Sequence, residues 1–225
     1  MTMEFWAALL QITFIDMVLS GDNAVVIAMA ARTLKPEQQS KAIIWGSAAA
    51  IVMRIILTIV AIKLLSMPFL KVVGAVLLVY IGVDLLNGGD DDEDGHGKQI
   101  NGMLAAIRTI LIADLVMSLD NVLAVAAAAK GNVPLLVLGL LVSIPLIVFG
   151  ATLLTKVMER FPVIITIGAA LLGFLAGEML LTDPAVTGYF GEVAEQTISF
   201  AGMVGAILVV ALGTWLQKRA KRRQV

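Results

Sequence analysis

The chain has 225 residues, of which 60% are hydrophobic and only 15% charged, with a mean hydropathy of +0.97. A soluble domain of this size carries more charge, because its surface must satisfy water. The composition therefore excludes an ordinary soluble fold and describes a bundle of membrane-spanning helices with the lipid bilayer as outer solvent. A formal net charge of −1 points to no nucleic-acid partner, and the absence of cysteine excludes disulfides, thiolate metal sites and cysteine chemistry.

Taken in chain order, seven apolar runs approach or exceed the ~20 residues that cross about 30 Å of hydrocarbon. They cover 5–31, 42–65, 68–86, 102–129, 133–155, 161–181 and 197–216. The first has no basic segment before it and no small-residue cleavage site after it, so it is expected to stay as a helix. Pro36, Pro68, Pro134, Pro162 and Pro184 punctuate the breaks between runs. The tail Lys218-Arg219-Ala220-Lys221-Arg222-Arg223 is the densest basic cluster and is expected in the cytoplasm, which puts the N-terminus outside. With Arg54 and Arg108 left within helices, that topology sets eleven basic residues inside against Lys63, Lys71 and Lys130 outside. The last outer loop, with Asp183, Glu192 and Glu195, has no basic residue.

The chain repeats itself. Phe14-Ile-Asp-Met-Val-Leu-Ser-Gly-Asp-Asn23 matches Ile112-Ala-Asp-Leu-Val-Met-Ser-Leu-Asp-Asn121 at an offset of 98 residues, as 121 − 23 gives. Gly74–Asp84 matches Gly168–Glu178 at an offset of 94, and Pro68 pairs with Pro162 in that register. A unit of three helices must lie upside down on its second pass, because three is odd. The expected fold is all-α: seven transmembrane helices in two inverted three-helix repeats plus one C-terminal helix, an arrangement whose substrate site lies near midplane. The segments are then 1–86 for the first repeat, 87–101 for an acidic cytoplasmic linker, 102–181 for the second repeat, and 182–225 for an outer loop, the seventh helix and the basic tail.

Acids inside membrane helices are costly, about 2.5–3.5 kcal/mol each even on the lower scale. Asp16, Asp22, Asp114 and Asp120 fall within the first and fourth spans, Asp84 and Glu178 near the ends of the third and sixth, and Arg54 is the one central base. Protons or cations are needed to balance six acids against one base. On a regular helix Asp16, Ser20 and Asn23 share a face, as do Asp114, Ser118 and Asn121, while Asp22 and Asp120 point about 120° away. Ser20-Gly21-Asp22 is a plausible break that turns Asp22 toward the same cavity and frees carbonyl oxygens; Leu119 stands where the second copy would need its glycine. Carboxylate, amide and hydroxyl oxygens suit hard divalent ions such as Mn²⁺, Mg²⁺ or Ca²⁺. The metal ligands expected are Asp16, Asp22, Asn23, Asp114, Asp120 and Asn121, supported by Ser20, Ser118, Arg54, Asp84 and Glu178. Met17 and Met117 flank the motifs and read as packing residues before thioether ligands. Polar residues also glue membrane helices together, but two acids, a serine and an asparagine repeated at one spacing favour a cation pathway. Arg54 is read as a counter-ion tying the second span to an acidic helix. The run from Asp90 to His96 reads as a solvated linker, with a weak metal collector as the alternative.

The two motifs, from Asp16 through Asn23 and from Asp114 through Asn121, resemble the paired signatures of the TerC family, grouped with the LysE-type exporter superfamily. The resemblance covers nearly the whole chain. It implies a bacterial inner-membrane cation exporter of the manganese branch, with tellurium resistance in the family's name, and Asp16, Asp22, Asp114 and Asp120 as its essential acids. No Gly-x-x-x-x-Gly-Lys loop is present, so the expected activity is secondary transport of Mn²⁺ as substrate, coupled to protons, with no permanently bound cofactor. The competing readings are a Ca²⁺ exporter or tellurium-resistance protein, and a membrane scaffold that supports metallation or assembly of exported proteins. An enzyme is not expected, since the single histidine lies in the acidic linker.

Overall fold

The computed structural model describes residues 3–65, 67–87, 96–129, 132–191 and 193–223. All the secondary structure described is helical: α1 (Met3–Leu19), α2 (Gly21–Ala31), α3 (Pro36–Leu65), α4 (Leu70–Asn87), α5 (His96–Ala129), α6 (Val133–Arg160), α7 (Val163–Leu181), α8 (Pro184–Phe190) and α9 (Glu195–Arg223). Six helices are long and apolar enough to cross a membrane, and seven if α1 and α2, bent by 53° at their junction, count as one broken span. This bears out the all-helical membrane fold; α8 is a short element the apolar runs did not reveal. Phe14, Val18, Trp45, Phe149, Phe200 and Ile207 are all more than half exposed, as side chains facing lipid are. The acidic linker between α4 and α5 lies outside the described residues, as does the His96 side chain.

The chain forms two compact units that cut across its sequence halves. The first comprises Met1–Leu65 and Gln99–Lys156, and the second Ser66–Lys98 and Val157–Val225. The first unit thus takes α1, α2 and α3 from one half and α5 and most of α6 from the other. The second takes α4, α7, α8 and α9.

Lipid supplies no hydrophobic drive for helix to meet helix, so close packing and hydrogen bonds must do it. In the second unit Gly173 and Gly177, one turn apart on α7, let the α9 backbone come into direct contact. A Cβ on Gly177 would stand 2.1 Å from the carbonyl oxygen of Ala201, and one on Gly173 would stand 2.4 Å from that of Gly205. Neither clash is with a side chain that can turn away.

Asp183 holds the entry to this unit. The sequence reading counted it among the outer-loop acids, yet it is fully buried. Its Oδ1 accepts from the N–H groups of Phe69 (2.9 Å) and Ala185 (2.7 Å), and its Oδ2 from those of Lys71 (2.9 Å) and Val72 (3.2 Å). It is the N-cap of α8, with Pro184 at the first helical position, and it also satisfies orphan donors at the start of α4. The same bonds fix Phe69 in the left-handed region at φ 65°, where a side chain costs about 1–2 kcal/mol. Burial alone would push the Asp183 carboxyl up, but bonds from Ala185, Phe69, Val72 and Lys71 together outweigh it and hold the group below the ordinary aspartate value. A lowered folded value gives stability that is present above the unfolded pKa, about 4, and lost as pH falls through the folded value. Asp183→Asn is expected to destabilise the detergent-solubilised protein by about 2–4 kcal/mol at pH 7. Thermal unfolding should show the gap between wild type and variant narrowing below about pH 4.

Candidate cation site

The first motif lies across a helix break. α1 ends at Leu19 and α2 begins at Gly21, with Ser20 between them at φ −105°, ψ 8°. The break expected at Ser20-Gly21-Asp22 is therefore present. Glycine is not sterically required there: a Cβ on Gly21 would meet nothing within 4 Å, and its φ is not positive. Side chains hold the break instead. The Asn121 amide donates to the Leu19 carbonyl at 2.9 Å, taking one of the acceptors that the end of α1 leaves open. Asp22 Oδ1 accepts from the Asn23 N–H at 2.8 Å, in the first turn of α2, where the helix dipole favours a negative charge. The second motif has Leu119 in place of Gly21, and α5 runs unbroken through it.

Ser20 caps nothing on α2 because its hydroxyl is committed elsewhere. Arg54, on α3 and 2% exposed, extends its guanidinium between the two motifs. Nη1 pairs with Asp16 Oδ1 and also donates to Ser20 Oγ, Nη2 pairs with Asp114 Oδ1, and Nε donates to Ser118 Oγ at 3.0 Å. The Ser20 hydroxyl donates in turn to Asp16 Oδ1 at 3.4 Å. The counter-ion expected for one acidic helix thus serves two. Its planar fork makes four contacts, one more than the three donors of an ammonium allow.

The cluster is not fully satisfied. Asp16 Oδ2, Asp114 Oδ2, both amide atoms of Asn23 and Ser47 Oγ are buried without a hydrogen-bond partner. Asp16 is 1% exposed, Asp114 4% and Asn23 3%, so these atoms lack bulk solvent too. Ser47 stands seven residues before Arg54, on the same face of α3 and about 10 Å away along the axis. Two carboxylates against one guanidinium leave one surplus negative charge when both are ionised, and half-buried Asp22, when ionised, adds a second. Orphaned buried acceptors of this kind are open to a proton, a water or a cation.

Of the residues expected at the site, Asp16, Ser20, Asp114, Ser118 and Arg54 form one network, and Asn121 bridges the second motif to α1. Asn23 is buried in α2 with its amide free to bind. The Asp120 side chain lies outside the described residues. Asp84 and Glu178 are half-buried on α4 and α7 and belong to the second unit. Met17 is 41% exposed and Met117 is buried. Among the described residues no three His, Cys, Asp or Glu side chains are grouped to hold a metal ion. A ligand set drawn there from the described residues would include amide, hydroxyl or carbonyl oxygen.

A multi-pass membrane protein with a charged, oxygen-lined cluster inside its helices is the class that fold and site define. The chain belongs to the integral membrane protein TerC family, whose profile matches residues 1–223. It is 44% identical to the membrane protein YjbE of Bacillus subtilis over 84% of this chain and 86% of that one. It is 23% identical to YceF of the same organism over 97% of this chain and 86% of that one. The inner membrane protein YoaE of Escherichia coli is 24% identical over 73% of this chain but only 35% of its own length. No solved structure matches.

If side chains rather than glycine hold the break, Asn121→Ala should cost about 1–2 kcal/mol in unfolding measurements. Gly21→Ala should be neutral or stabilising by up to about 1 kcal/mol.

Proposed function

We propose that the protein is a secondary transporter that exports divalent metal cations, Mn²⁺ foremost, through the site formed by its two motifs. The reading is supported by one observation: Asp16 and Asp114, tied to one guanidinium, each keep a buried, unpartnered oxygen, and Asn23 of the first motif is buried with neither amide atom hydrogen-bonded. All are hard oxygen donors, the type that suits Mn²⁺, Mg²⁺ and Ca²⁺ and disfavours Cu⁺. Manganese within that class comes from the family resemblance. Asp22 and Asp120 complete the acidic set, and Asn121 holds the broken end of α1 in place. Protons are the coupling ions in this reading, replacing the metal on the carboxylates when it leaves. The two halves act as inverted repeats whose relative motion exposes the site to each side in turn. The protein sits in the bacterial inner membrane with its N-terminus outside and its basic tail in the cytoplasm.

Purified protein in liposomes is expected to move Mn²⁺ without a partner. Asp22→Asn and Asp120→Asn should each cut that flux about ten-fold or more, and Mg²⁺ and Ca²⁺ should compete less well than Mn²⁺. Undiminished flux in both variants would refute the pathway. No flux from folded wild-type protein would favour the scaffold that supports metallation of exported proteins.

A further inference from the structure

We propose that the Arg54 guanidinium is a tethered competitor for the transported cation, holding Asp16 and Asp114 in the empty protein and yielding at least one of them when a divalent ion binds. The inference rests on the export reading and adds to it the reason the site can be both filled and emptied.

Three features point this way. The guanidinium takes one oxygen of each carboxylate and leaves the other buried and unpartnered. A purely structural bridge would gain by engaging both oxygens of one acid in a bidentate fork, as Arg–carboxylate pairs commonly do. Here the positive charge is divided between helices α1 and α5, and each acid remains half available. Ser20 and Ser118 also contact the guanidinium, one from each motif, so the tether is anchored on both sides by neutral groups that stay in place if a carboxylate is withdrawn. The two acids have a single permanent cation between them, and a divalent ion held by Oδ2 of either one would lie close enough to repel the guanidinium. Binding is then an exchange of cargo for arginine. Without arginine the empty site would hold bare buried acids, at high cost in a membrane; with it, cargo meets a rival and its affinity stays low enough for release.

Mn²⁺ binding to wild type, Arg54→Lys and Arg54→Gln in detergent, followed by the loss of the free-ion electron paramagnetic resonance signal, tests the inference. Affinity should rise in that order. Lysine keeps the charge but has three donors in place of five and no rigid fork, so it holds the two acids and two serines less well, and glutamine removes the competitor, giving a Kd lower by about ten-fold or more. Arg54→Gln should also lose Mn²⁺ flux in liposomes while binding more tightly, a combination that damage to the site does not produce. If wild type binds Mn²⁺ and neither variant binds it more tightly, Arg54 is a structural bridge and the inference fails. Should Arg54→Gln not fold, Arg54→Lys decides: tighter binding supports the inference and equal or weaker binding overturns it. Wild type that neither binds nor moves Mn²⁺ refutes the export reading itself.

Discussion

The first compact unit depends on one arginine with too many acids. Arg54 reaches α1 and α5 at once, and its contacts are the ion pairs that join three helices inside an apolar bundle. Removing one partner of such a buried pair costs about 3–5 kcal/mol, because the other charge is then left without compensation. That dependence fixes where α3 stands between the motif helices. It also explains why the serines of the two motifs face inward: Ser20 and Ser118 each accept from a further guanidinium donor. The residual imbalance, one base against two acids, is what separates this cluster from a closed structural network.

Nearly identical motifs perform different tasks because a single-copy residue lies between two copies of an acid. Asn121 spends its amide on the end of α1, while Asn23 has no partner for either amide atom. Asp22 stabilises the first turn of a helix that exists only because the span is broken. The second motif, on the unbroken α5, has no such turn to cap. A repeat in sequence thus yields one broken and one continuous helix, and the continuous one holds the broken one in shape.

The composition and seven apolar runs were enough to read the membrane fold, since hydrophobic length is a local property. Motif periodicity likewise put Asp16 with Ser20, and Asp114 with Ser118, on shared faces. What stayed hidden was which helices meet. Nothing local to Arg54 says that it touches both motifs, and Asp183 looked like a loop acid because its four donors include three from residues more than 110 positions away. The Asp-Pro pair at Asp183-Pro184 is an N-cap signal and was legible; the distant half of its role was not. The break at Ser20 and the competition of Asp22 for the backbone there were legible, but glycine has room for a side chain and the Asn121 contact that also holds the break comes from the other half.

The two units share close apolar packing, but only in the first is a buried ion-pair cluster added to it, and that difference bears on what each can do. In the second, α7 and α9 meet backbone to backbone at Gly173, Gly177, Ala201 and Gly205, a contact built from dispersion and close fit. Such an interface has no alternative partner and changes little with the ionic state of its surroundings. The first unit also packs closely, with Gly139 against Ile12, Gly46 against Ile110 and Leu57 beside Val122, but it adds ion pairs whose members retain unused oxygen valence. Charged groups of that kind respond directly to an added cation, because the arriving charge competes for the same carboxylates. A transporter of the kind proposed needs both kinds of contact: small residues supply fixed packing in both units, and in the first Arg54 with its two acids adds contacts for which a cation would compete.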